Sequence, residues 1–222
     1  MSIDARKIRL IMSLRRSGVT DMTVLSALER IPRELFVPEA FADQAYEDMA
    51  LPIGHGQTIS QPLIVALMTQ TLEIRPEHKI LEVGAGSGYQ AAILAKLCRH
   101  VFTVERHLPL LCEAEKRFET LGLTNITTKH FDGVKGWPEE APFDRILVTA
   151  AAGGPDPPQE LLDQLGENGV LVIPLGEDRR EQRVVKFRRV ETGLQREDLW
   201  PVRFVPLLPD LPTENEAPAR SV

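Results

Sequence analysis

Short apolar runs alternate with longer segments of helical periodicity through the middle of the chain. The runs KILEVG, HVFTVE and GVLVIPL are rich in β-branched residues and have the length of buried strands. The segments between them carry apolar residues three or four positions apart, as amphipathic helices do. This alternation predicts βαβ units and a parallel sheet. The predicted strands are residues 79–84, 100–105, 125–131, 144–150 and 169–175, and the predicted helices are residues 86–98, 108–122 and 158–166.

The N-terminal part of the chain has a different pattern. Residues 3–17 have helical spacing, and Thr20 or Asp21 is placed to cap a second helix that runs to Ile31. Residues 42–60 contain one proline and two glycines and predict a long loop, which in a compact domain is typically functional.

A third helix follows this loop. Ser60 precedes Gln61-Pro62, and a serine followed by a proline in the first turn is a helix start signal, so Ser60 is predicted as the N-cap. Pro76 is predicted to end this helix.

The C-terminal part lacks helices altogether in this interpretation. Residues 182–190 and 199–207 resemble two strands, which a turn at residues 191–193 would pair antiparallel.

The predicted fold class is therefore α/β: a doubly wound, Rossmann-like, mostly parallel sheet with helices on both faces, an N-terminal helical extension and a C-terminal antiparallel strand pair. The predicted parts are residues 1–60, helices and a functional loop packed on the main domain; residues 61–208, the main domain; and residues 209–222, a mobile tail.

Composition narrows the class of protein further. The 222 residues carry a formal net charge of −6, which argues against a nucleic-acid partner because no basic excess exists to neutralise phosphates. Cys98 and Cys112 have no zinc or disulfide spacing, and the five histidines have no ligand spacing, so no metal is predicted. Charges interrupt the apolar positions of the N-terminus, and no apolar run approaches the roughly 18 residues of a membrane span. We therefore expect a cytoplasmic protein without a membrane partner.

The strongest local signal is a glycine-rich turn between the first strand and its helix. Gly84, Gly86 and Gly88 alternate there; glycines let a ligand approach the backbone, and the helix start presents N–H groups. A dinucleotide fingerprint would need glycine where Tyr89 stands. Glu82, just before the turn, would repel a pyrophosphate but suits a cationic ligand. The alternative is a tight strand-to-helix turn with no ligand.

Two acidic positions follow later strands. Glu105 ends the second strand, where a carboxylate can accept hydrogen bonds from both ribose hydroxyls. This feature is common to several kinds of cofactor that contain ribose, and a solvated strand-end carboxylate is the alternative. Asp132-Gly133 follow the third strand, where the aspartate could face an adenine amino group or simply form a turn.

These motifs resemble one family. The loop sequence LPIGHGQTISQP at residues 51–62 is its most specific part, and residues 31–38, 80–89 and 203–207 match in the same order. Over about residues 5–208 the chain resembles the protein-L-isoaspartate O-methyltransferases, which are class I methyltransferases dependent on S-adenosylmethionine.

The resemblance implies a repair enzyme. Such an enzyme transfers a methyl group from S-adenosyl-L-methionine to the free α-carboxylate of L-isoaspartyl residues in damaged proteins and peptides, leaving S-adenosyl-L-homocysteine. The ester then closes to a succinimide, whose hydrolysis returns some normal aspartyl bonds. A carboxylate acceptor is ionised at pH 7 and needs no general base. By the resemblance Ser60 is the catalytic residue, and the cofactor-binding set is Gln57, Thr58, Glu82, Gly84, Gly86, Gly88, Glu105, Asp132 and Gly133.

Three other functions stay open at this point. A methyltransferase of the same class that acts on a small-molecule carboxylate would share the sheet and the glycine turn. A nicotinamide-dependent oxidoreductase is disfavoured by Tyr89, and a non-enzymatic binding module is possible on the fold alone. We expect the protein to be a monomer whose partners are isoaspartyl-containing substrates.

Overall fold

The computed structural model describes residues 3–177 and 181–212. Its helices are α1 Ile3–Arg16, α2 Met22–Arg30, α3 Pro62–Thr71, α4 Tyr89–Ala95, α5 Leu108–Thr120 and α6 Gln159–Asp163. Its strands are β1 Leu51–Gly54, β2 Gln57–Ile59, β3 Lys79–Val83, β4 His100–Glu105, β5 Ile126–His130, β6 Phe143–Val148, β7 Leu165–Leu175, β8 Arg183–Val190 and β9 Gly193–Pro201.

A seven-stranded sheet in the order β5-β4-β3-β6-β7-β8-β9 forms the centre of the molecule. The strands from β5 to β7 are parallel, and β8 and β9 are antiparallel additions at one edge. Ile80 and Leu81 of β3 are fully buried, as expected for a parallel strand covered on both faces. The predicted fold class is confirmed. The chain order reverses at β3, so the carboxyl ends of β3, β4 and β6 meet at the switch point where such sheets bind ligands.

The N-terminal helices share a hydrophobic core with the sheet. Leu14 of α1 and Leu28 of α2 belong to the same buried cluster as Met68 of α3 and Ile93 of α4. Asp21 caps α2, because its carboxylate accepts hydrogen bonds from two backbone amides in the first turn. This confirms one of the two capping residues that the sequence offered. The domain boundaries at residues 60 and 208 stay predictions.

The prediction of one long loop over residues 42–60 is wrong in part. Strands β1 and β2 form a two-stranded antiparallel sheet inside it, which we call the hairpin. The chain reverses through Gly54, His55 and Gly56, with φ of 94°, 51° and 68°. Two glycines around one residue were the turn signal. The strands themselves are too short to show alternation.

The position of the last strand also needs correction. The turn after β8 is where the sequence placed it, but β9 covers Gly193–Pro201 instead of residues 199–207. Most β9 side chains are exposed at the sheet edge, so the strand is polar and gives no hydrophobic alternation. The apolar residues that follow leave the sheet and cross its carboxyl edge, where Val205 accepts a hydrogen bond from the Ala151 amide.

Several helix boundaries differ from the prediction. The helix predicted at residues 158–166 ends at Asp163, because β7 already begins at Leu165 and not at residue 169. Helix α3 ends at Thr71, before the predicted stop at Pro76, and Glu73 already has φ of 52°. Helix α4 begins at Tyr89 because the three glycines before it have positive φ. The tail predicted at residues 209–222 lies outside the described residues from position 213 onward.

Candidate active site

A cleft of about 670 Å³ opens at the carboxyl ends of β3, β4 and β6. A smaller cavity of about 330 Å³ adjoins it and reaches toward the N-terminus of α3. Both are bordered by Thr58, Gly84, Gly86 and Thr149, so the two spaces meet at the glycine turn. The remaining lining of the larger cleft includes Gln57, Glu105, Arg106, His107, Gly133 and residues 205–208.

The glycine turn brings only two of its three glycines to the cleft. Gly84, Gly86 and Gly88 have φ of 97°, 52° and 89°, a region in which L side chains are strained. A Cβ on Gly84 would lie 2.5 Å from Thr149 Oγ1, and one on Gly88 would lie 2.7 Å from the Phe118 ring. Gly88 therefore serves the packing of the turn on α5, while Gly84 and Gly86 border the cavities.

Glu105 is buried, makes two structural contacts and lines the cleft. Its Oε2 accepts a hydrogen bond from the Gly86 amide at 2.8 Å, and its Oε1 accepts one from the His107 amide at 2.9 Å. Each carboxylate oxygen has a further lone pair. The side chain thus orders the glycine turn and can still accept hydrogen bonds from a diol.

Glu82 lies beneath the turn and does not border either cavity. It is fully buried, with Oε2 accepting a hydrogen bond from Thr103 Oγ1 at 2.5 Å and Oε1 without a partner among the described residues. Burial raises the pKa of this carboxyl to about 8, and the nearby Glu105 adds to the rise. The group is therefore mainly protonated at pH 7 in the cofactor-free protein.

This pKa predicts a pH-dependent stability difference between the wild type and Glu82→Gln. Between the ordinary pKa of 4.5 and the folded value of about 8, Glu82 is ionised when unfolded and protonated when folded. The wild type therefore loses stability as pH rises through this window, whereas the glutamine does not titrate. We expect the melting temperature of cofactor-free Glu82→Gln to gain on the wild type between pH 5 and pH 8. A constant difference across that range would contradict the assignment.

Asp132 and Gly133 lie side by side but face different surroundings. Gly133 borders the cleft, and a Cβ there would lie 2.5 Å from Val83 Cγ1. The Asp132 side chain is buried: Oδ1 accepts a hydrogen bond from the Val134 amide at 2.9 Å, and Oδ2 accepts one from the Asp210 amide at 3.0 Å. Asp132 therefore fastens the chain after residue 208 to the rim of the cleft.

Ser60 is not the cap of α3, contrary to the prediction. The N-cap position is Gln61, and the capping contact comes from Asp48, whose Oδ1 accepts a hydrogen bond from the Leu63 amide at 2.8 Å. Asp48 lies 15 residues before Leu63, so the sequence around the start of α3 could not identify it as the capping residue. The Ser60 side chain is half-buried, borders the smaller cavity and makes no hydrogen bond to any residue that the structure describes. Its hydroxyl is free for a ligand.

Sequence reasoning missed Thr149, which closes the base of the cleft. Thr149 Oγ1 lies 2.7 Å from the Gly84 carbonyl oxygen and 3.0 Å from that of Val83. It directly follows β6, the neighbour of β3, and the rule that ligands bind at the carboxyl ends of adjacent parallel strands would have found it. Residues 205–208 form one wall of the cleft; the sequence indicated residues 203–207 only through the family resemblance, which did not place them at the site.

The described residues form neither a metal cluster nor a membrane-spanning helix. Within residues 3–177 and 181–212, no three histidine, cysteine or acidic side chains are grouped as a metal ion would require. None of the helices in these ranges has the length and apolar character needed to cross a bilayer.

The fold and the cleft together define a Rossmann-like methyltransferase. The sheet order, the glycine turn and the strand-end carboxylate are all in the places that this class requires. The family model described as protein-L-isoaspartate(D-aspartate) O-methyltransferase (PCMT) matches residues 5–211, and the chain belongs to this family.

Individual relatives agree with the family assignment. The chain is 66% identical to a protein-L-isoaspartate O-methyltransferase of Rhodospirillum centenum, with 96% of each chain covered. It is 58% identical to that of Paramagnetospirillum magneticum, covering 95% of this chain and 98% of the relative. A solved structure assigned to the same family from Plasmodium falciparum, in complex with S-adenosyl-L-homocysteine, has a TM-score of 0.77 at 28% identity, covering 90% of this chain and 97% of that one.

Proposed function

We propose that this chain transfers a methyl group from S-adenosyl-L-methionine to the free α-carboxylate of L-isoaspartyl residues in damaged proteins and peptides. The observation that carries this proposal is the free Ser60 hydroxyl, which borders a cavity continuous with the glycine turn. The Ser60 hydroxyl can donate a hydrogen bond to the carboxylate that receives the methyl group. It is thus adjacent to a site for the cofactor. Family membership supports the same reaction.

The residues of the larger cleft fit the cofactor. Glu105 has lone pairs left for the two ribose hydroxyls, and Gly84 and Gly86 let the ligand approach the backbone closely. Gly133 lies beside the adenine, and its neighbour Asp132 supports this side of the adenine site by holding the adjoining chain. The remaining members of the cofactor-binding set act at the rim or beneath the turn: Gln57 and Thr58 from the hairpin, Glu82 from β3 and Gly88 from the start of α4.

Glu82 suits this cofactor for an electrostatic reason. One oxygen of its buried carboxyl, under the turn that receives the ligand, has no partner in the part of the chain that the structure describes. The bound cofactor carries positive charge on its sulfonium and amino groups, and positive charge nearby favours the ionised carboxylate. A pyrophosphate would have the opposite effect. This supports the methyl donor over a dinucleotide.

The chemistry asks the protein for alignment more than for proton transfer. When bound, S-adenosyl-L-methionine supplies a methyl group activated by its sulfonium sulfur. The acceptor carboxylate is already ionised at pH 7, since such groups have pKa values near 3.5. Ser60 donates a hydrogen bond to one carboxylate oxygen, and the N-terminal end of α3 favours the anion. Holding the reactive atoms about 3–3.5 Å apart and in line is the main catalytic contribution.

The product of the reaction offers a direct test of the repair function. A peptide containing L-isoaspartate, incubated with the protein and S-adenosyl-L-methionine, should yield a succinimide and then a fraction of the normal aspartyl peptide. Chromatography and mass spectrometry would follow these species over hours. Methylation of small carboxylic acids at rates equal to that of the peptide would favour the alternative substrate class.

We further propose that the enzyme works as a monomer in the cytoplasm, without nucleic-acid or membrane partners. The net charge of −6 supports the absence of a polyanionic partner. Light scattering at micromolar concentration would test the monomer, since one chain has a mass of 24.8 kDa.

The chain also contains a candidate for damage to itself. Glycine after Asn or Asp leaves the attacking amide unhindered, so Asn168-Gly169 and Asp132-Gly133 are the likeliest pairs to form succinimides. Asn168 is exposed, at φ of 56°, in a bulge of β7, whereas Asp132 is held by two amides. We expect isoaspartate to accumulate first at Asn168 in protein held for weeks at pH 7.4, and to be methylated by fresh enzyme. Peptide mapping that finds damage first at Asp132 would contradict this expectation.

A further inference from the structure

A fully buried arginine, Arg33, joins the two ends of the hairpin. Its Nη2 donates a hydrogen bond to the Ser60 carbonyl oxygen at 2.8 Å and lies 3.5 Å from that of Met49. Met49 comes just before β1 and Ser60 just after β2, and the first strand pair inside them is Leu51 with Ile59. One guanidinium group therefore holds the base of the hairpin from which Ser60 emerges.

The same guanidinium contacts the start of the helix after the glycine turn. Its carbon lies 4.8 Å from the centre of the Tyr89 ring, within the range of a cation–π contact. Tyr89 is the residue directly after Gly88, and its ring also packs edge-on against Phe36 at 5.3 Å. Arg33 thus bridges the acceptor side of the site and the cofactor side.

Asp48 holds the next residues of the same segment. Its Oδ1 accepts a hydrogen bond from the Leu63 amide at 2.8 Å, and its Oδ2 accepts one from Gln61 Nε2 at 3.0 Å. The segment at residues 60–63 is therefore held by its Ser60 carbonyl on one side and by the Leu63 amide on the other. The Ser60 hydroxyl makes no hydrogen bond to a described residue and is therefore left for substrate.

We propose that Arg33, with Asp48 as its counterpart, is a positioning residue that fixes the distance from Ser60 to the glycine turn. The inference rests on the proposed function, because that distance sets the line between acceptor carboxylate and cofactor methyl. Burying a guanidinium is costly, and an apolar side chain would fill the same space at lower cost. Arg33 Nη2 reaches both carbonyls while the guanidinium contacts the Tyr89 ring, and Nε and Nη1 have no hydrogen-bond partner among the described residues. A lysine would keep the positive charge but not the planar group that spans the carbonyls and the ring.

Arg145 provides a matched control. It is also a buried arginine that donates to backbone carbonyls, with Nε 2.5 Å from the Leu72 oxygen and Nη2 3.1 Å from the Glu73 oxygen. These contacts lie beyond the other end of α3, and Arg145 borders neither cavity. Arg145→Lys therefore removes comparable hydrogen bonds without touching the proposed alignment.

The experiment compares Arg33→Lys and Arg145→Lys with the wild type. We expect both variants to melt at lower temperature, but only Arg33→Lys to lose kcat, by about 10- to 100-fold, since small misplacements of reacting groups have effects of this size. The dissociation constant for S-adenosyl-L-homocysteine should stay within about twofold of wild type in both. Equal loss of kcat in the two variants, or a loss of cofactor affinity that matches the loss of kcat, would overturn the inference.

A second variant covers the case in which Arg33→Lys does not fold. Asp48→Ala removes the contacts with both Gln61 and the Leu63 amide, and a several-fold fall in kcat with unchanged cofactor affinity is expected. Wild-type kcat in Asp48→Ala would overturn the inference. A wild type that binds the cofactor but methylates no isoaspartyl peptide would instead refute the proposed function, and with it the alignment that Arg33 is proposed to serve.

Discussion

Replacing Ser60 with alanine is expected to lower kcat about 10- to 150-fold. This corresponds to the loss of one charge-assisted hydrogen bond to the acceptor carboxylate, about 1.5–3 kcal/mol. Cofactor affinity should not change, because Ser60 borders the smaller cavity and not the larger cleft. The melting temperature should not change either, since the hydroxyl neither caps α3 nor bonds to another described residue. Initial rates, cofactor titration and thermal melting measure the three quantities.

Ser26→Ala is the matched control for this substitution. Ser26 is also half-buried, but it lies on α2 and borders neither cavity. The Ser26→Ala variant should keep the wild-type kcat. Full activity in Ser60→Ala, or a drop in its melting temperature that accounts for the lost activity, would mean that Ser60 does not hold the acceptor.

Replacing Glu105 with alanine is expected to weaken cofactor binding about 10- to 100-fold. Two losses combine: the ribose hydroxyls lose a charged acceptor, about 1.5–3 kcal/mol, and the Gly86 amide loses the carboxylate that orders the glycine turn. Calorimetric titration with S-adenosyl-L-homocysteine measures the effect. At saturating cofactor the apparent affinity for the peptide should change little, because Glu105 does not border the cavity beside Ser60.

Asp144→Ala separates these two losses from a general weakening of the sheet. Asp144 Oδ2 accepts a hydrogen bond from the Lys79 amide at 2.7 Å, at the edge of the sheet opposite the cleft. Asp144→Ala therefore removes a hydrogen bond between a carboxylate and a backbone amide, as Glu105→Ala does, but away from the ligand. Unchanged cofactor affinity in Glu105→Ala, or equal weakening in both variants, would show that Glu105 serves only the fold.

The sheet was predictable because its signals are local. Strand β4 covers the predicted residues 100–105, and β3 differs from its prediction only at Gly84, since buried parallel strands are continuous apolar runs bounded by turns. The glycine turn was found for the same reason. Edge strand β9 was misplaced because its exposed side chains have no reason to be apolar.

The finer geometry of the site was not predictable, because it depends on contacts between distant parts of the chain. The α3 cap comes from Asp48, and the base of the hairpin is held by Arg33. The burial of Glu82 beneath the turn, which determines its protonation, follows from the packing of the strands and not from its spacing to Gly84. Residue identities indicated the chemistry, and only tertiary contacts show which groups are free to perform it.

Methyl transfer to two peptides that differ only in one linkage tests the central claim most directly. One peptide carries L-isoaspartate and its twin carries L-aspartate at the same position, and both are incubated with the protein and S-adenosyl-L-methionine labelled in the methyl group. We predict base-labile label in the isoaspartyl peptide and none above background in its twin, with the incorporation greatly reduced in Ser60→Ala. Equal incorporation into the two peptides, or none into either while the protein binds S-adenosyl-L-homocysteine, would contradict the account.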